Sequence, residues 1–175
     1  MTNIIFGNIL SFIGSAFLIM STFCKSKKKL MLFQSINAFI CAVGNIFLKG
    51  YSGLVVNLIA GIKNLMVYFD RMTKTITYII AILVCILGVM FNNRGFIGIL
   101  PIIATVEYSI IVCKKDSTTQ DIKVALSINV LLWIAYNIYC IDIVGAVIHT
   151  VLLVTTLWNL LKDNKFKLSE NNINN

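Results

Sequence analysis

Amide and aromatic side chains lie inside apolar stretches of the chain, at spacings that would place them on common helix faces. Asn57 and Asn64 are seven residues apart and therefore share one face of a helix. Asn129, Trp133 and Tyr136 follow the i, i+4, i+7 pattern of a second such face. An aromatic ring beside carboxamides can stack on a sugar or a heterocycle and hydrogen-bond to its edge. These five residues are therefore candidate ligands for a polar solute.

Two charged residues, Lys63 and Glu107, interrupt otherwise apolar stretches at similar depth. Because a charge at the centre of a bilayer costs about 2.5 to 3.5 kcal/mol on insertion scales, each of them needs a partner. We expect a Lys63–Glu107 ion pair, which either locks two halves of the molecule together or takes part in solute movement. In the second case Glu107, His149 or both would gain and lose protons.

Catalytic motifs are missing from the sequence. It has no HExxH, GxSxG, P-loop or CxxC motif, and its single histidine cannot form a multi-histidine metal site. The five cysteines lie in or at the ends of apolar stretches, and no metal-binding spacing relates them. We therefore expect no enzyme activity, no cofactor and no metal.

The composition indicates that membrane helices position these residues. Hydrophobic residues make up 58% of the chain and charged residues 13%, which is more apolar surface than a soluble fold of this size can bury. About 20 apolar residues span a bilayer as a helix. The predicted fold class is all-α with seven transmembrane helices, at residues 3–24, 30–48, 52–69, 76–91, 96–113, 124–141 and 143–161. Six or eight spans stay open as alternatives.

Lysine and arginine residues divide unequally between the two sides of this arrangement. Of the fifteen, twelve fall on one side, Lys49 and Arg94 fall on the other, and Lys63 lies within a span. Cytoplasmic loops accumulate these residues, so the amino terminus is expected outside and the carboxyl terminus in the cytoplasm of a bacterial inner membrane. The basic residues cluster beside spans without interleaved aromatic residues, which argues against nucleic acid as a partner.

The two ends of the chain predict an uncleaved first span and an unfolded tail. Residues 1–3 carry no basic side chain and no small-residue cleavage site precedes a soluble part, so the first stretch is not expected to be a signal peptide. Residues 162–175 are polar and rich in asparagine, and we expect them to form a disordered cytoplasmic tail.

An internal repeat appears when the chain is aligned with itself at an offset of 92 residues. Seven of the 23 positions from 35 to 57 are then identical without a gap. Asn37 falls on Asn129, and His149 takes the position that corresponds to Asn57. For Asn37 and Asn129, packing between helices and solute binding are equally open, whereas Asn57 with His149 favours a cavity.

This repeat predicts two three-helix units, at residues 1–70 and 96–161. They are joined by a linker helix within 71–95 and followed by the tail at 162–175. Because each unit has three helices and one linker helix separates them, both units run in the same direction through the membrane.

Three helices, a linker and three more helices within 175 residues resemble the SWEET and PQ-loop superfamily of small solute carriers, over residues 3–161. The size and the early basic loop at 25–29 resemble the YgjV-like bacterial inner-membrane proteins and, more distantly, the nicotinamide riboside carriers. The resemblance implies two triple-helix bundles with a solute site near mid-membrane. It also implies that a pair from the third and seventh spans holds the solute, here Asn57 with His149.

Two functions from different classes follow from these patterns. A carrier would move a small polar solute, such as a sugar, nucleoside or vitamin, by alternating access around a water-accessible cavity that contains Asn57, Trp133 and His149. A non-transporting accessory or assembly protein would use the same polar residues only to pack its helices. The lipid bilayer is the expected partner in both cases, and assembly into a homo-oligomer stays open.

Overall fold

The computed structural model describes residues 2–22, 24, 26–113 and 119–173, which form seven α-helices and no strand. The helices are α1 Thr2–Thr22, α2 Lys27–Phe47, α3 Tyr51–Tyr68, α4 Lys74–Met90, α5 Leu100–Cys113, α6 Thr119–Tyr139 and α7 Ile143–Ile173. Each predicted apolar stretch coincides with one helix. The one proline, Pro101, lies in the first turn of α5, where no backbone hydrogen bond is lost.

Helix α7 is longer than the apolar stretch that predicted it. It continues to Ile173 and therefore includes most of the segment for which we expected disorder. Residues 162–173 contain no proline or glycine, and their lysine, leucine and glutamate residues are compatible with a helix. Residues 174 and 175 lie outside the described part of the chain.

Three of the helices are long and apolar enough to cross a bilayer: Thr2–Ser21, Lys28–Phe47 and Tyr51–Tyr68. The other apolar helical segments are shorter: Lys74–Met90, Ile97–Ile111, Lys123–Tyr139 and Ile143–Trp158. Large apolar side chains face outward, among them Phe12 at 63% exposure and Trp158 at 71%, while serine, threonine and asparagine fill many buried positions. An apolar exterior around a polar interior is the arrangement expected of a protein surrounded by lipid.

Six of the helices form a closed ring. Helices α1, α2 and α3 pack in chain order, as do α5, α6 and α7, and the two groups meet where α1 contacts α7 and where α3 contacts α5. Helix α4 lies outside the ring against α3 and α5, through a cluster of Val56, Ile80, Val84 and Ile102. Exchanging α1, α2 and α3 with α5, α6 and α7 leaves the contacts within the ring unchanged, whereas α4 contacts only one junction of the ring.

The α2–α3 and α6–α7 turns have the same backbone. Lys49 and Ile141 adopt left-handed conformations, with φ of 54° and 61°. The next amide bonds back to the carbonyl five residues earlier at 2.9 Å in both turns, from Gly50 to Asn45 and from Asp142 to Asn137. This is the pattern of a Schellman motif, which satisfies carbonyls at a helix end. All these positions correspond at the offset of 92 residues.

Candidate functional site

A cavity of about 140 Å³ lies inside the ring of helices. Every helix of the ring contributes to it, including Ser11 from α1, Thr105 from α5 and Leu152 from α7. The cavity brings together six of the seven candidate ligands: Asn37, Asn57, Asn64, Asn129, Trp133 and His149. Residues that are up to 112 positions apart in sequence therefore surround one space.

The two asparagines of α3 present unoccupied carboxamides to this cavity. Asn64 is 8% exposed, and among the residues that the structure describes neither it nor Asn57 has a side-chain hydrogen-bond partner. In the same part of the chain, the one buried side-chain polar atom without a partner is Glu107 Oε2. The carboxamides of Asn57 and Asn64 are therefore open to space that a water molecule can reach.

His149 is oriented by the backbone of its own helix. Its Nδ1 lies 2.7 Å from the carbonyl oxygen of Gly145 and 3.2 Å from Nδ2 of Asn137. Because a carbonyl oxygen only accepts, Nδ1 carries the proton that is donated to Gly145, and Nε2 of the neutral ring is left as an acceptor. The imidazole stacks on Trp133, with ring centroids 6.3 Å apart and an interplanar angle of 11°. The two rings therefore support each other at the cavity wall.

Lys63 lines the cavity, but the ion pair that we expected with Glu107 is not among its contacts in the described chain. Its Nζ donates to Ser109 Oγ at 3.1 Å and lies 5.7 Å from the centre of the Tyr108 ring. Residues two apart on a helix point in nearly opposite directions. Because Ser109 faces Lys63, Glu107 faces away, although the sequence predicts a similar depth for both charged residues.

Tyr136 packs helices and does not line the cavity. The side chain is fully buried, and its Oη accepts a hydrogen bond from the backbone N–H of Gly53 at 3.0 Å. Only glycine leaves room for this contact, since a Cβ at position 53 would lie 2.6 Å from Tyr136 Oη. Its position on a stripe with Trp133 therefore did not predict the role of this residue.

Other asparagines of the cavity wall are occupied by neighbouring groups. Asn129 donates from Nδ2 to the carbonyl oxygen of Ala104 on α5 at 2.7 Å. Asn37 Oδ1 accepts from the Cys41 thiol at 3.4 Å. The Asn129 contact joins α6 to α5 and matches the helix-packing interpretation that the sequence left open, whereas the Asn37 contact lies within α2. Asn57 and Asn64 make neither kind of contact.

Two asparagines that the sequence did not single out hold the turns between helices. Asn8 of α1 donates to Ile141 O at 3.0 Å and accepts from Val144 N–H at 3.1 Å. Asn93 donates to Lys49 O at 2.8 Å and accepts from Tyr51 N–H at 3.2 Å. We call these contacts the Asn8 clamp and the Asn93 clamp. The Asn8 clamp joins α1 to the turn between α6 and α7. The Asn93 clamp joins the loop before α5 to the turn between α2 and α3.

Asp142 closes the cavity wall beside the Asn8 clamp. Its Oδ1 accepts from Gly145 N–H at 2.9 Å and its Oδ2 from Ser11 Oγ at 2.7 Å. Burial raises the pKa of this carboxyl, and the hydrogen bonds from Gly145 and Ser11 oppose that shift. An aspartate directly before an apolar stretch is an N-cap signal, which could have identified this residue from the sequence.

The described residues contain no group of three or more histidine, cysteine or acidic side chains that could hold a metal ion. The polar lining of the cavity offers hydrogen-bonding groups and the charged side chains of Lys63 and Asp142.

Comparison with known proteins identifies the family. The family model Imp-YgjV, described as a bacterial inner membrane protein, matches residues 5–167. No curated protein and no solved structure matches the chain. The family match agrees with the all-helical fold and the apolar exterior, and it confirms the YgjV-like part of the sequence-based resemblance. The chain belongs to the YgjV family of bacterial inner membrane proteins.

Proposed function

We propose that this protein is a carrier or facilitator for a small polar solute, which binds in the cavity between the two three-helix groups. The observation that supports this most strongly is the open carboxamide pair of Asn57 and Asn64 in a cavity that all six ring helices line. Leaving a polar group inside a protein without any partner costs free energy, so carboxamides that face a cavity without a protein partner are expected to bind a ligand or water there.

The proposal includes a seven-span membrane topology. Residues 1–70 and 96–161 would form parallel three-helix repeats, joined by a linker helix within 71–95, as in the SWEET and PQ-loop carriers. The ring of helices supports this because its contact pattern is unchanged when the two groups are exchanged. The matching turns after α2 and α6 support it as well.

The proposed orientation of the chain in the membrane follows from the distribution of its lysine and arginine residues. Twelve lysine and arginine residues on one side against two on the other favour an outside amino terminus and a cytoplasmic carboxyl terminus. In this orientation the α2–α3 and α6–α7 turns face outward.

Alternating access would then open and close the ring at the two junctions between repeats. The Asn8 clamp and the Ser11–Asp142 hydrogen bond close the junction of α1 with α7 at its outer end. The Asn93 clamp ties the loop before α5 to the first repeat. We propose that these contacts break when the cavity opens to the outside, because they are among the hydrogen bonds that join the repeats there.

The alternative is a non-transporting accessory or assembly protein. The hydrogen bond from Asn129 to Ala104 favours it, because this polar residue of the cavity wall packs helices. We propose the carrier over this alternative because Asn57 and Asn64 lack such bonds. Neither proposal involves catalysis, and assembly of several copies is compatible with both.

The test is the thermal stability of the purified chain in detergent against a panel of sugars, nucleosides and vitamins. A ligand of the folded state raises the melting temperature by mass action. We expect one compound to stabilise the wild type and to enter proteoliposomes that contain it. The Asn57→Leu variant should lose both effects.

Thr150→Val is the matched control, since the Thr150 hydroxyl bonds to Ala146 O within α7 and does not line the cavity. A panel in which nothing stabilises the wild type would favour the accessory function. A compound that stabilises wild type and Asn57→Leu equally would place its site elsewhere.

A further inference from the structure

We infer that the solute is an uncharged molecule, no larger than a single six-membered ring, with amide groups at opposite edges. This inference rests on the carrier proposal and deepens it by naming the class of solute.

Size is the first constraint. The cavity measures about 140 Å³. A protein cavity of about 150 Å³ holds a benzene molecule, so this space accepts one six-membered ring. A nucleoside, in which a ribose is attached to such a ring, exceeds it. Binding a larger solute would require the ring of helices to expand.

Charge is the second constraint. The lining contains one basic residue, Lys63, and one acidic residue, Asp142, so its formal charges cancel. Both already contact the protein: Lys63 contacts Ser109, and Asp142 accepts from Ser11 and Gly145. A solute with a net charge would lose its hydration and leave this balanced lining with an unbalanced charge, which costs several kcal/mol per ion. A neutral solute avoids this penalty.

The spacing of the open groups indicates where the solute carries its polar atoms. Asn57 and Asn64 are seven residues apart on α3, which corresponds to about 10.5 Å along the helix axis. Two hydrogen bonds of about 2.9 Å leave about 5 Å between the two polar edges of a bridging solute. This distance is close to the width of a six-membered ring.

The chemistry of the open groups favours amides in the solute. A carboxamide has a donor and an acceptor side by side, and an amide edge of a solute complements both. On the facing helices, Trp133 offers an indole N–H and His149 an acceptor at Nε2. Neither atom has a hydrogen-bond partner among the residues that the structure describes. Neither is among the fully buried polar atoms without a partner in that part of the chain, so both are accessible from the cavity. Donors and acceptors therefore occur on both sides of the cavity.

The experiment compares matched probes on the purified full-length chain by thermal shift and calorimetric titration. Uracil and piperazine-2,5-dione are neutral cyclic amides of one ring. Orotate is the uracil ring with a carboxylate, and uridine is the uracil ring with a ribose. We expect at least one of the two neutral amides to raise the melting temperature by about 5 °C at about 100 times its Kd. Orotate and uridine should leave the melting temperature unchanged.

Variants then locate the probe. Asn57→Leu and Asn64→Leu should each weaken binding of the stabilising amide by about tenfold, because each removes hydrogen bonds and leaves the solute group unpaired. Thr150→Val should bind it as the wild type does. If binding is unchanged in both leucine variants, the probe does not bridge the two asparagines and the inference fails.

The outcomes separate this inference from the proposed function. If orotate, uridine or a sugar binds in an Asn57-dependent manner and neither cyclic amide does, the carrier proposal stands and the inference is overturned. If no probe and no panel compound binds, both are overturned.

Discussion

The α2–α3 turn and the α6–α7 turn share their backbone, yet the helices that follow them are capped from different sources. In α7, the N–H of Gly145 donates to Asp142 Oδ1 in its own turn at 2.9 Å. In α3, the N–H at the corresponding position, Gly53, donates at 3.0 Å to Tyr136 Oη on α6. The first three-helix group therefore depends on the second for a hydrogen bond that the second makes within itself.

This difference results from paired substitutions at corresponding positions. Where the second group has Tyr136 and Asp142, the first has Gly44 and Gly50. A Cβ at position 50 would lie 2.8 Å from Asn45 Oδ1 and closer still to Tyr136 Oη, so no aspartate fits there. The tyrosine therefore excludes the local cap and replaces it. Two copies of one motif can keep their backbone and still become dependent on each other.

The largest expected effect comes from removing the cap that α6 supplies. Tyr136→Phe keeps the buried ring and leaves the N–H of Gly53 without a partner, which should lower stability by about 1 to 3 kcal/mol. Thermal unfolding in detergent measures the loss. Tyr139→Phe, on an exposed residue of the same helix, is the control and should change stability by less than about 0.5 kcal/mol. Equal losses in the two variants would contradict a capping role for Tyr136.

The two clamps test whether the corresponding junctions contribute equally. Asn8→Ala and Asn93→Ala each remove the two hydrogen bonds of one clamp, and Asn8→Ala also removes a bond to Ile4 O in its own helix, for an expected loss of about 1 to 2 kcal/mol each. Because the clamps hold different turns, their effects should add in the double variant. Unfolding of the three variants measures this. A negligible loss in one single variant would show that only one junction needs its clamp.

The left-handed residues of the two turns should respond differently to glycine. Ile141 is β-branched and adopts a φ of 61°, a conformation that such residues rarely occupy. Ile141→Gly should therefore raise stability by about 0.5 to 1 kcal/mol, and Lys49→Gly should raise it less. Melting temperatures of both variants measure the difference. A larger gain at Lys49 would show that branching is not the source of the strain.

The smallest effect is a change in pH dependence at the α6–α7 turn. Because burial raises the pKa of Asp142, the folded protein holds this proton more tightly than the unfolded chain. The resulting stabilisation is present below the unfolded pKa of about 4 and is lost as pH rises through the raised value. Relative to Asp142→Asn, the wild type should lose stability across this interval. Melting temperatures of both proteins from about pH 4 to pH 7 measure it, and parallel curves would contradict the shift.

The membrane class and the seven helices could be predicted from the sequence, because both depend on local composition and on an apolar length of about 20 residues. The sequence also placed two of the candidate ligands on one helix face, since Asn57 and Asn64 share that face whatever surrounds them. The Asn8 clamp could not be found in this way. Its hydrogen bonds join residues more than 130 positions apart, and no periodicity relates them.

The sequence by itself determined where the seven apolar helices lie, which of their residues share a face, and which segment repeats at the offset of 92 residues. Only the tertiary structure decided which faces meet. The sequence predicts matching depths for Lys63 and Glu107, but the rotation of α5 directs Ser109 to the lysine. Tyr136 follows the stripe of Trp133, but packing of α6 against α3 directs its hydroxyl to Gly53. Helical spacing is a local property of the backbone, whereas the rotation of one helix against another depends on contacts with several helices at once.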